Sequence, residues 1–163
     1  LDVINSAPFT DIAASLQQTF APAGINFEIL PGTGAQVITK YRARTHQGML
    51  LYWGPDFMDT HSNAKAFAYN ADNSDDKYVS TTTWRNAWMP PAEINAKTMA
   101  ALAEQDTDKR NQMYLELQKA MQEDAPFVIM FQQIKQVAMA DKVRGYVNGA
   151  SSDFVYYRLV EKN

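Results

Sequence analysis

Apolar residues open the chain at Leu1, Val3 and Ile4 and then recur at Ile12, Leu16 and Phe20, four apart, before Ala23-Gly24. That pattern predicts a strand, a helix entered through Ser6-Ala7-Pro8, and a glycine stop. Ile25, Phe27 and Ile29 then alternate with Asn26 and Glu28 as far as Pro31-Gly32, which predicts a second strand with almost no linker. Strand, helix, strand is a βαβ crossover, right-handed almost without exception, so the leading fold class is α/β. Thr33 or Gly34 caps a second helix with Val37, Ile38 and Tyr41 on its buried side and Lys40, Arg42 and Arg44 on its wet side. Gly48 precedes the apolar run Met49-Leu50-Leu51-Tyr52-Trp53, the strand of a third repeat.

From Gly54 to about Pro91 the periodicity dissolves into Asn, Asp, Ser, Thr and aromatic residues, far longer than the usual connection in α/β units. It returns at Ile94, Met99 and Leu102, and again at Met113, Leu117 and Met121, predicting two amphipathic helices in antiparallel contact that end near Asp124-Ala125-Pro126. Phe127 to Phe131, Gln136 to Met139, Val143 to Val147 and Phe154 to Val160 read as strands separated by turns such as Asn148-Gly149. No repeat or linker divides the sequence, so residues 1–163 are expected to form a single domain.

Composition narrows the function. The 163 residues carry 15 basic and 18 acidic side chains, a net charge of -3, which gives no electrostatic footprint for nucleic acid. The absence of cysteine removes disulfides, thiolate metal sites and cysteine nucleophiles. No apolar run approaches the length of a spanning helix, so direct membrane insertion is not expected. The abrupt start at Leu1, without a basic and apolar leader, suggests that any targeting signal has been removed or lies upstream.

The segment Tyr52-Trp53-Gly54-Pro55-Asp56-Phe57-Met58-Asp59-Thr60-His61 carries most of the candidate chemistry. It follows a predicted parallel strand at its carboxyl end, where open α/β sheets place ligands. Trp53 offers an aromatic face and Asp56 a counter-charge, a combination suited to an ammonium group. A turn rich in Asp and Gly above a packed Trp fits the same residues, and both readings stand. Asp56, Asp59 and His61 also admit a metal-dependent hydrolase, since carboxylate and imidazole suit manganese, iron or zinc, although three ligands within six residues of loop is a weak pattern. No nucleophile elbow and no complete phosphate loop occur: Pro31-Gly32-Thr33-Gly34 lacks the third glycine and the lysine. No metal and no cofactor is expected. Asp72 to Lys77 imitates a calcium loop but has Lys77 where glycine is needed. Most of the methionines, among them Met99, Met113, Met121, Met130 and Met139, fall at core spacing, and Trp84 and Trp88, four apart, suit a core or an interface.

Several short patterns, in order, resemble the carboxy-terminal part of the peptide/nickel-type (family 5) extracytoplasmic solute-binding proteins of ABC importers. They are Asp11-Ile12-Ala13-x-x-Leu16-Gln17 leading to Ala23-Gly24-Ile25, then Trp53-Gly54-x-Asp56-Phe57-x-Asp59, similar to the family's Trp-Gly-x-Asp-Tyr-x-Asp-Pro. Lys109-Arg110-x-x-x-Tyr114-x-x-x-Gln118, Glu123-Asp124-Ala125-Pro126 and Val143-x-Gly145-Tyr146 follow. The sequence departs at Thr60, where the family often has Pro.

The resemblance implies a type II periplasmic-binding-protein-like lobe, a mixed sheet flanked by helices. This chain would then be the second lobe plus the carboxy-terminal strands of a bilobal protein whose amino-terminal lobe is missing. It implies capture of a small solute by lobe closure and delivery to permease subunits in the membrane, in the periplasm or another extracytoplasmic space, without chemistry. In peptide-binding members the acidic residue matching Asp56 pairs with the ligand's amino terminus. Asp56 inherits that role, with Trp53, His61 and Asp59 as further candidates to bind a peptide or another amine-bearing solute. A receptor module that reports a ligand without transporting it is the remaining alternative on the same fold.

Overall fold

In the computed structural model, which describes residues 1–124, 126–132, 134, 136–149 and 154–163, the chain is a mixed α/β protein. Its elements in order are β1 (Asp2–Ile4), α1 (Phe9–Phe20), β2 (Leu30–Gly32), α2 (Gly34–Arg42), β3 (Met49–Leu50), α3 (Thr60–Ala68), α4 (Thr82–Arg85), α5 (Ala92–Ala103), α6 (Thr107–Asp124), β4 (Val143–Arg144) and β5 (Glu161–Lys162). They fall into two units, Leu1–Trp53 with Asn70–Met89, and Gly54–Tyr69 with Pro90–Asn163.

The first unit is built on a small parallel sheet of order β2-β1-β3, flanked by α1 and α2. Asp2 pairs with both Leu30 and Met49, and Val3, fully buried, with Pro31 and Leu50. The βαβ crossover is therefore present as the hydrophobic spacing predicts. Gly24, at φ 79°, supplies the left-handed residue that ends the turn after α1. Thr33 caps α2: its Oγ1 accepts from the Gln36 N–H at 3.3 Å, while the Gln36 side chain accepts from the Thr33 N–H at 2.9 Å. Val37 and Tyr41 face inward as expected. Beyond α2, Arg44 adopts φ 57°, a conformation that glycine tolerates better. Its guanidinium lies 4.6 Å from the Trp84 ring centre, donates to the Asn73 carbonyl and side chain at 2.9 and 3.2 Å, and pairs with Asp75. One arginine thus fastens the segment 70–89 to the sheet unit.

The second unit packs α3, α5 and α6 around Ala68, Ile94, Ala101, Tyr114 and Leu117. Thr98 spans α3 and α5, its hydroxyl lying 3.2 Å from the Ala68 carbonyl and 2.8 Å from that of Ile94. The helices predicted around Ile94 and Met113 both form, joined by the short connector Glu104 to Asp106. β4 and β5 form an antiparallel pair. Gly145, at φ 74°, is required there, because an added Cβ would collide with the Leu159 carbonyl.

Four expectations need correction. The second strand pairs over Leu30–Gly32 and not over 25–29, because the Phe27 carbonyl is taken by the Gln17 side-chain amide at 2.5 Å and the ladder with β1 begins only at Leu30. The supposedly irregular stretch from Gly54 to Pro91 contains α3 and α4. Helix α3 escapes the period because its buried face is His61, Ala66 and Ala68, with no large aliphatic residue. Residues 127–131 and 136–139 pair in no strand; Val128, Ile129 and Ile134 are 88%, 76% and 81% exposed, an apolar run with no partner strand among the described residues. Residues 154–160 supply a single bridge, Val155 to Asn148, and a 3-10 turn, so the terminal pairing is confined to Glu161–Lys162. Ala125 of the Glu123–Pro126 pattern lies outside the described residues.

Candidate functional site

The candidate segment leaves β3 at Leu50 and reaches α3 at Thr60. Trp53 is the last residue of the first segment of the first unit and is 47% exposed. Asp56, Asp59 and His61 belong to the second unit. Thr60, the departure from the family pattern, is the first residue of α3, and Asp59 is its cap.

The loop's far end is tightly held. The Asp59 carboxylate accepts from the His61 backbone N–H at 2.7 Å, satisfying a donor that the first turn of a helix leaves open. Ser62 donates its hydroxyl hydrogen toward the Asp59 carbonyl at 2.7 Å and the Phe57 carbonyl at 3.2 Å, and the Asp59 N–H also donates to the Phe57 carbonyl at 3.0 Å. Arg110, in the first turn of α6, grips Asp59 with a two-pronged pair: Nη1 to Oδ2 at 3.0 Å and Nη2 to Oδ1 at 2.9 Å. Arg110 Nε donates to the Ala101 carbonyl at the end of α5, so one guanidinium joins α5, α6 and the entry to α3.

From Arg110 the contacts continue inward. Its Nη2 donates to the Tyr114 hydroxyl at 3.2 Å, and that hydroxyl lies 3.1 Å from His61 Nδ1. With its oxygen accepting from arginine, Tyr114 has its hydrogen free for Nδ1, which leaves the imidazole proton on Nε2. Asp59, Arg110, Tyr114 and His61 thereby form a closed cycle, completed by the backbone bond from His61 to Asp59. Its electrostatics follow. The Arg110 hydrogen bonds, then the His61 N–H, hold the Asp59 carboxyl below the usual carboxylate range. Burial pushes His61 down, so it favours the neutral form that Nδ1 needs as acceptor, while burial pushes the Tyr114 hydroxyl up.

Of the candidate residues, Asp59 and His61 are brought together and are occupied with each other's surroundings. Asp56 is different: it is exposed, between Pro55 and Phe57, and among the described residues no side chain pairs with it. Its carboxylate can only accept, so any group that meets it must be a hydrogen-bond donor. Sequence reasoning does not reach Arg110 and Tyr114 as site residues, although their spacing of four in the Lys109-Arg110-x-x-x-Tyr114 pattern places both on one helix face. Among the described residues no group of three or more His, Asp or Glu side chains is disposed to hold a metal ion, and no helix is long and apolar enough to cross a membrane. No known family's sequence model matches the chain, and no curated protein matches it.

Proposed function

We propose that this chain is the carboxy-terminal lobe of a peptide/nickel-type solute-binding protein with a type II periplasmic-binding fold. It captures an amine-bearing solute, a peptide first among them, and passes it to the permease of an ABC importer outside the cytoplasmic membrane. The mechanism is binding with closure of two lobes and no covalent step. The observation that carries the reading is the contrast between Asp56 and Asp59. Both acids stand in the Trp53-Gly54-x-Asp56-Phe57-x-Asp59 pattern, yet Asp59 is consumed as helix cap and arginine partner while Asp56 is exposed on the anchored loop. The exposed apolar residues Val128, Ile129 and Ile134 add support, since they suit a surface that the amino-terminal lobe covers.

The test is calorimetric titration of the full-length protein with trialanine and with N-acetyl-trialanine. Wild type binds the free amine preferentially. Asp56→Asn weakens trialanine binding by roughly thirtyfold or more, as expected when one partner of a desolvated charge pair is lost, and leaves the acetylated peptide nearly unaffected. Equal affinity of wild type and Asp56→Asn for trialanine overturns the amine-binding role.

A further inference from the structure

We infer that Arg110 is a positioning residue for Asp56: by clamping Asp59, three residues further along the same loop, it fixes the place from which Asp56 meets the ligand's positive charge. The inference rests on the reading of Asp56 just given and names the device that makes that carboxylate selective. Phe57, next to Asp56, is held through its carbonyl by the Ser62 hydroxyl and by the Asp59 N–H. Both donors sit at the entry to α3, whose cap is the carboxylate that Arg110 grips at 2.9 and 3.0 Å. Asp56 itself has no such restraint of its own, since it is exposed and no described side chain pairs with it.

The cost of this arrangement indicates its purpose. An arginine in the first turn of a helix stands against the positive end of the helix dipole, where an acidic residue is preferred. Arg110 is in that turn of α6, and it is oriented by three acceptors from three elements: Asp59 before α3, the Ala101 carbonyl of α5 and the Tyr114 hydroxyl of its own helix. A lysine in its place would keep the charge but lose the fork that fixes two oxygens at once. A carboxylate that recognises an ammonium by a short, directional bond gains selectivity only if its loop does not drift to relieve a poor fit, so the clamp serves discrimination more than affinity.

The readout is therefore the ratio of the dissociation constants for N-acetyl-trialanine and trialanine in the full-length protein. Arg110→Gln lowers that ratio by about fivefold or more, the scale of coupling within a shared hydrogen-bond network. Asp59→Asn does the same. It keeps a side-chain oxygen for the His61 N–H, so α3 stays capped, and it provides the arm that survives if Arg110→Gln folds poorly. Arg110→Lys restores the ratio only in part, and the double variant Arg110→Gln/Asp59→Asn is no worse than either single one. If Asp56→Asn abolishes the preference for the amine while Arg110→Gln and Asp59→Asn leave it intact, the positioning role is wrong and the Asp56 reading stands. A loss of affinity for both peptides in equal proportion also overturns it, because that is what a merely structural arginine produces. If wild type shows no preference, or Asp56→Asn keeps it, the Asp56 reading fails and the positioning role falls with it.

Discussion

Lys40 Nζ lies 2.6 Å from Asp2 Oδ1, so a residue on the expected wet side of α2 provides the partner of a buried acid on the central strand β1. Asp2 is almost wholly enclosed while the lysine retains some access to water, and its aliphatic stem covers the distance between helix and sheet. Removing the ammonium leaves the carboxylate enclosed without its partner. Lys40→Met should therefore destabilise the first unit by about 1–2 kcal/mol, less than a fully buried pair because the lysine is screened by solvent. Asp2→Asn/Lys40→Met should recover part of that loss. Urea denaturation monitored through Trp84 measures both.

The Asp59 clamp gives stability a sign with respect to acid. The folded-state pKa of Asp59 is depressed, first by the Arg110 hydrogen bonds. A depressed carboxylate contributes stability that is present above the unfolded value of about 3.9 and is lost as pH falls through the folded value. Wild type should thus lose unfolding free energy on acidification below about pH 4. Arg110→Gln should be less stable at pH 7 and flatter below that point, as seen in denaturant titrations at a series of pH values. A parallel displacement of the two curves, with unchanged slope, would show that Arg110 does not set the Asp59 titration.

His61 acts in a higher window with the same direction. Its pKa is lowered, burial being the largest cause, so the folded protein resists the proton that the unfolded chain accepts near pH 6.5. The stability it contributes is full above that pH and declines as the pH falls through the folded value. Protonation at Nδ1 would also break the bond from the Tyr114 hydroxyl. His61→Gln should remove the decline between pH 6.5 and the carboxylate range, and the imidazole resonances of His61 in a two-dimensional NMR titration should report the same depressed midpoint with the Nε2 proton retained.

The parts of this fold legible in the sequence are those where a large apolar period and a backbone signal coincide. Ile12, Leu16 and Phe20 with Gly24, and Thr33 with Gln36 and Val37, define α1 and α2 in this way. Helix α3 was illegible because alanines and a histidine fill its buried face, so its only sequence mark is the cap Asp59. The strands expected at 127–131 and 136–139 have the composition of strands but no partner among the described residues, and pairing is a long-range property that composition does not carry. The candidate site divides in the same manner. The acids are visible as a cluster, but which one is free depends on Arg110, distant in sequence and brought to Asp59 by the packing of α6.

Two of the three tryptophans, Trp53 and Trp84, separate the site from the core in a single experiment. Trp84 is buried, donates its indole N–H to the Ser74 carbonyl at 3.1 Å, and is stacked by Arg44 and met edge-on by Tyr78. Trp53 is 47% exposed at the point where the chain enters the candidate segment. Trp53 is three residues before Asp56 in sequence, and an aromatic face can contribute to the binding of a ligand ammonium. The full-length protein labelled with 5-fluorotryptophan should therefore show one fluorine resonance that moves on saturation with trialanine, absent in Trp53→Phe, while the Trp84 resonance stays in place. Trp53→Phe should weaken trialanine binding by about threefold to fivefold, since phenylalanine keeps an aromatic face of lower strength. Trp84→Ala, by contrast, should cost about 3–5 kcal/mol of stability through the cavity it leaves. A fixed Trp53 resonance at saturation, with binding confirmed by calorimetry, would assign Trp53 to the turn alone and leave Asp56 as the sole ligand contact in the segment.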